Sequence, residues 1–119
     1  MRIIVADDAA TLRATFSWIV RRLGHDIVAE AADAGEAERL TLALKPDVVV
    51  VDGRLAGIEL PATIARLADL APAILVVTAL EERRLGSAAL AAGATGLLLR
   101  PFSVSGISAA LRRSKRGEA

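Results

Sequence analysis

In this 119-residue chain, Asp7 and Asp8 close the apolar run Ile3-Ile4-Val5-Ala6, and Asp52 closes Val48-Val49-Val50-Val51. Thr78 closes Ala73-Ile74-Leu75-Val76-Val77, and Arg100 closes Gly96-Leu97-Leu98-Leu99. Acids brought together at one edge repel each other at neutral pH and favour a hard dication. Magnesium takes oxygen ligands and keeps several waters, so carboxylates with a backbone carbonyl make a suitable open site. Its natural co-ligand is a phosphate, and a hydroxyl and a cation nearby can hydrogen-bond phosphoryl oxygens. The chemistry these residue types suggest is phosphoryl transfer.

The positioning elements follow from the pattern. Unbroken aliphatic runs of this length read as strands of a parallel sheet buried on both faces, and such sheets carry their sites at the carboxyl ends of the strands. Ile27-Val28-Ala29 is a further, weaker strand. Between the strands lie amphipathic stretches. Ala9 to Leu23 places Leu12, Phe16, Ile19, Val20 and Leu23 on one face before Gly24,. Ala37, Leu40, Thr41 and Leu44 line a second helix ended by Lys45-Pro46, and Leu60, Ile64, Leu67 and Ala68 a third with Pro61 in its first turn,. Glu81 to Ala92 turns Leu85, Ala88, Ala89 and Ala92 inward before Gly93, and Ser103 caps a last helix with Val104, Ile107 and Leu111 inward,. Five strands alternating with five helices give an α/β, doubly wound parallel sheet.

Composition narrows the class. The length fits a single domain spanning residues 1–119, with a core from about 2 to 113 and a polar basic tail over 112–119,. A formal charge of +1 supplies no field for nucleic acid, so no direct nucleic-acid binding is expected,. The absence of cysteine excludes thiolate chemistry and disulfides,. No apolar run reaches spanning length and Asp7-Asp8 interrupts any leader, so the expected setting is cytoplasmic and away from membranes,.

Taken together and in order, Ile4-Val5-Ala6-Asp7-Asp8, the valine run ending in Asp52, Val77-Thr78-Ala79, Gly93-Ala94-Thr95-Gly96 and Arg100-Pro101-Phe102 resemble the receiver domain of two-component response regulators, from Ile3 to about Leu111. The resemblance implies the flavodoxin-like strand order 2-1-3-4-5. It implies that Asp52 is the phosphoacceptor, drawing on a phosphohistidine of a sensor histidine kinase or histidine phosphotransfer protein. Asp8, Asp52 and the backbone carbonyl of Arg54 would hold Mg2+, with Asp7 acting through a metal-bound water. Thr78 would move to the phosphoryl group, Ala79 would leave the acid accessible, Arg100 would pair with the phosphoryl group, and a cis peptide bond would precede Pro101. Thr78, Leu97 and Pro101 would belong to a switching surface read by a downstream partner, a removed output domain or a second copy of the chain. Such a module is regulatory rather than an enzyme, beyond catalysing its own phosphorylation and dephosphorylation.

The chain departs from the family pattern where Arg100 replaces the usual lysine, a substitution of a planar fork for a compact ammonium. Leu97 stands where an aromatic switch residue is common, and Leu55-Ala56 and Leu60 where Met-Pro and a later Gly are usual. These departures motivate two alternatives: a pseudo-receiver that binds partners without being phosphorylated, and a small Mg2+-dependent hydrolase with Asp52 as nucleophile. Residue by residue, Asp7-Asp8 also fits a helix-cap pair, Thr78 a β-branched strand end, and Arg100 simple neutralisation of the acids. His25 reads as a surface histidine. Trp18 falls opposite the buried stripe of its helix with Ala14, Arg21 and Arg22, as an ordinary exposed aromatic or a docking residue.

Overall fold

Parity along the strands decides which side of the sheet each side chain joins. In the computed structural model, which describes residues 1–55 and 59–115, strand β3 (Val48–Asp52) is buried throughout. Its Val48 and Val50 belong to one hydrophobic cluster and its Val49 and Val51 to another. β1 (Arg2–Ala6) repeats the division, sending Ile3 and Val5 one way and Ile4 and Ala6 the other. A two-residue side-chain period explains the split, and burial on both faces explains why no polar residue interrupts the run. Each fully buried valine or isoleucine contributes roughly 1.5–3 kcal/mol of transfer free energy.

The remaining strands are β2 (Asp26–Ala31), β4 (Ala73–Ala79) and β5 (Gly96–Arg100), and all pairings are parallel in the order β2-β1-β3-β4-β5. This is the order expected. α1 (Ala10–Arg22) and α5 (Val104–Lys115) supply Phe16, Val20, Ile107, Ala110 and Leu111 to the cluster under Val48 and Val50. α2 (Ala34–Leu44), α3 (Leu60–Ala68) and α4 (Arg83–Ala92) supply Ala37, Ile64, Leu67 and Ala89 to the other. Gly93 takes φ +123° at the end of α4, a conformation that favours glycine, and Asp33 caps α2 by accepting from the Glu36 N–H at 2.8 Å,. Ser103 caps α5 through the Gly106 N–H at 3.0 Å.

Three sequence expectations need correction. Leu12 and Val104 are 59% and 52% exposed, not inward. Both occupy the first turn of a helix, where the next residues of the stripe, Phe16 and Ile107, already meet the sheet. The fourth helix begins at Arg83 rather than Glu81, because residues 79–82 close a turn through Glu82 N–H to Ala79 carbonyl at 2.9 Å. Ala56, Gly57 and the tail from Arg116 lie outside the described residues. No described helix is long and apolar enough to cross a membrane.

Candidate functional site

The strand ends meet as the sequence pattern requires. β1 and β3 are adjacent, with Ala6 opposite Val51, so Asp7 and Asp8 emerge beside Asp52. One carboxylate oxygen from each of Asp7, Asp8 and Asp52 lies within 4.8 Å of the others, a grouping able to hold a metal ion. The burial is graded: Asp52 is buried, Asp7 half-buried and Asp8 exposed. Asp52 Oδ1 accepts from the Arg54 backbone N–H at 3.0 Å and from Arg100 Nη2 at 3.2 Å. Arg100 reaches it because β5 shares Asp52's sheet face, in parity with the buried Leu98. Both hydrogen bonds fall on one oxygen, which fixes the carboxylate's orientation.

Asp7 is held separately, its Oδ1 accepting from the Ala9 N–H at 2.9 Å. Burial pushes its carboxyl above the ordinary value; the Ala9 N–H pulls it back, and the charges of Asp52 and Asp8 add to the rise,. An all-oxygen donor set with an acid held above its usual range matches a hard divalent cation, so the residues present fit Mg2+. Arg13 was not singled out from the sequence, yet it donates to the Asp7 carbonyl at 2.7 Å and pairs with Glu30 at 3.2 Å, bracing the turn that carries the acids. Its place early in the helix after Asp7-Asp8 is the only signal the sequence offers.

Thr78 reaches the same edge from the opposite face of the sheet, in parity with Ile74 and Val76. Its Oγ1 is buried and has no hydrogen-bond partner among the described residues. An orphaned hydroxyl of this kind is costly unless another state satisfies it. Leu97 and Gly86 flank it: a Cβ on Gly86 would lie 3.0 Å from Leu97 Cδ1 and 3.9 Å from Thr78 Oγ1. An open groove of about 290 Å³ runs past Thr78, Gly86, Leu97 and Leu99. The Arg100-Pro101 peptide is cis, as expected. A second cleft, of about 470 Å³, opens between Arg54, Ala79, Arg100 and Pro101. Arg54 pairs with Glu82 at 3.5 Å, a contact invisible to sequence spacing. His25 is half-buried with the terminal amine 3.1 Å from Nδ1, and Trp18 is 61% exposed with the Arg22 guanidinium 5.5 Å from its ring centroid.

The whole arrangement has known counterparts. Residues 3–112 match the family model of the response regulator receiver domain. The transcriptional regulatory protein PdtaR of Mycobacterium tuberculosis is 37% identical over 113 residues, covering 92% of this chain and 54% of that protein. The chain therefore spans about half the length of PdtaR. The chemotaxis protein CheY of Thermotoga maritima is 30% identical over 115 residues, covering 94% of this chain and 95% of that one. Among solved structures, the signal receiver domain of the response regulator NarL from M. tuberculosis superposes with a TM-score of 0.88 at 29% identity, covering 98% and 97% of the two chains. A Burkholderia pseudomallei response regulator solved with a phosphorylated aspartic acid, a calcium ion and citrate gives a TM-score of 0.81 at 29% identity, over 97% of this chain and 68% of that one. With the matched profile covering nearly its full length, the chain belongs to the receiver domains of two-component response regulators.

Proposed function

We propose that this receiver accepts a phosphoryl group on Asp52 and that the phosphorylated form presents an altered surface to a partner. The observation that carries the reading is the orientation of Asp52. Its Oδ1 is tied to the Arg54 N–H and to Arg100, while Asp7 and Asp8 stand within metal-sharing distance. A carboxylate so held presents its other oxygen, Oδ2, as the nucleophile.

The donor is a phosphohistidine of a sensor kinase or phosphotransfer protein. Asp52 attacks phosphorus, the P–N bond breaks, its electron pair returns to the imidazole, and an acyl phosphate remains on Asp52. Mg2+ would be held by Asp8, Asp52 and the Arg54 carbonyl, with Asp7 acting through water, and when bound it offsets the charge of the carboxylates and phosphoryl oxygens. Arg100 shifts from the carboxylate to a phosphoryl oxygen, retaining a charge-assisted hydrogen bond. Thr78 Oγ1 finds in another phosphoryl oxygen the acceptor it lacks,. Satisfying that hydroxyl favours one conformation over another, so phosphorylation shifts a population rather than creating a new fold. Leu97 and Pro101 border the grooves that would register the shift. The readers are a downstream protein, a further domain of a longer regulator or a second copy of the chain, in a cytoplasmic setting. The relative with a phosphorylated aspartic acid supports the chemistry.

Incubation with a small acyl phosphate donor and Mg2+, read by intact mass, tests the proposal. The expected result is one added phosphoryl group in the wild type and none in Asp52→Asn or after chelation. A folded wild type that stays unmodified, together with an unmodified Arg100→Lys variant, would instead mark a binding module without phosphorylation.

A further inference from the structure

The turn joining β4 to α4 contains an interaction that the phosphoryl reading does not use. Glu82 folds back so that its Oε1 accepts from the Ala79 backbone N–H at 2.7 Å while Oε2 lies 3.5 Å from Arg54 Nε. Ala79 and Arg54 both line the cleft that also contains Arg100, whose guanidinium bonds Asp52. Arg54 is itself joined to Asp52 by its backbone N–H. The Glu82 carboxylate is therefore an internal anion seated on one backbone donor and one cation of a cleft that two residues bonded to Asp52, Arg54 and Arg100, also line. Its side chain is only 19% exposed, whereas that of Arg54 is 66% exposed, so the cation is free to swing and the anion is the fixed partner.

Resting on the reading of Asp52 as phosphoacceptor, we infer that Glu82 is a positioning residue that occupies the Ala79 N–H and Arg54 in the unphosphorylated state and is displaced by the phosphoryl group. The single Ala79 N–H serves one strong acceptor at a time, and two anions drawn to the same cleft repel each other. A phosphoryl group carries more charge and more acceptor oxygens than a carboxylate, so it takes both donors and repels Glu82. Glu82 immediately precedes α4, as its N-cap residue, and makes no side-chain cap hydrogen bond there. Displacing its side chain removes one of the two hydrogen bonds that join Ala79 and Glu82, leaving the backbone bond alone to hold the turn and loosening the start of α4. Resting occupancy by Glu82 slows phosphorylation, and its release transmits phosphorylation to a helix that never touches the phosphate.

The test uses Glu82→Gln, which keeps an oxygen for the Ala79 N–H and removes the charge, with Arg54→Gln and the double variant, each checked for folding by its amide spectrum. Phosphorylation by a small acyl phosphate with Mg2+ should be about fivefold to tenfold faster in Glu82→Gln. In the Arg54→Gln background that gain should shrink below about twofold, because the released cation is gone. In the wild type, the Ala79 amide resonance should shift on phosphorylation as its acceptor changes. A Glu82→Gln rate within about twofold of wild type, or an unshifted Ala79 amide in a phosphorylated wild type, would reduce Glu82 to a turn-closing residue. A wild type that takes up no phosphate would overturn the phosphoacceptor reading and this inference with it.

Discussion

Asp52 and Thr78 stand on neighbouring strands at one sheet edge, yet on opposite faces and in opposite conditions. On the face shared with α1 and α5, Asp52 is tied to the Arg54 N–H and Arg100, Asp7 is tied to the Ala9 N–H, and Arg13 braces the turn between. On the face shared with α4, Thr78 Oγ1 has no partner among the described residues, and a groove lies open beside it. Leu80 and Leu99 line that groove and protrude, 55% and 46% exposed. The first region is organised before any ligand arrives, as a capturing site must be. The second retains an unmet hydrogen bond and space to move, which is what a two-state element requires.

The contrast breaks most directly at Arg100. Replacing it with alanine removes the only side-chain cation bonded to Asp52 among the described residues, and phosphorylation from a small donor should fall by about 10²-fold,. A fall of less than about threefold would show that Arg100 neutralises acids without serving the reaction.

Two glycines sharpen the comparison. A Cβ on Gly53 would lie 3.0 Å from Leu85 Cδ2, 3.2 Å from Thr78 Cγ2 and 3.2 Å from the Val77 carbonyl oxygen, a backbone atom that cannot yield. Gly53→Ala should cost about 1–3 kcal/mol in urea unfolding. On Gly86 the nearest obstruction is the tip of Leu97, which borders the groove. Gly86→Ala should therefore be absorbed, with the helix-propensity gain of up to about 1 kcal/mol offsetting the shift of Leu97. Equal losses at the two positions would show the Leu97 tip to be as unyielding as the Val77 backbone.

Thr78→Val is the subtler probe. It deletes a hydroxyl with no partner, so the unphosphorylated protein should be stabilised by up to about 1 kcal/mol while phosphorylation is impaired,. Stability and function moving together would mean that the hydroxyl has a resting role.

The smallest effect concerns Asp7. Because its folded-state pKa is raised, mainly by burial, its contribution favours folding fully below the ordinary carboxylate pKa and is lost as pH rises through the raised value,. Above that range the charged acid is a standing penalty that a dication relieves. Mg2+ should accordingly raise the melting temperature more at about pH 7.5 than at about pH 4.5. Asp7→Asn, which keeps the oxygen facing the Ala9 N–H, should raise the metal-free melting temperature at the higher pH. Scanning calorimetry reads both.

The strands were legible because four of the five are nearly pure aliphatic runs with a polar residue at the carboxyl end, and a buried parallel strand admits little else,. β2 was weaker in the pattern because it is an edge strand with Val28 and Ala29 only half-buried. The grouping of Asp7, Asp8 and Asp52 followed once β1 and β3 were taken as neighbours. Leu12 and Val104 misled because helical periodicity gives a stripe but not where the sheet beneath it stops. The Arg54–Glu82 pair and the isolation of Thr78 were out of reach, since both depend on how a turn and a helix start are seated over the strand ends.

Borohydride reduction of the phosphorylated protein, followed by peptide mass mapping, tests the central claim most directly, because an acyl phosphate is reduced to an alcohol at the residue that carried it. Homoserine is expected at position 52 alone, formed only when Mg2+ was present. Reduction at another carboxylate, or a phosphoryl group that resists borohydride, would contradict it.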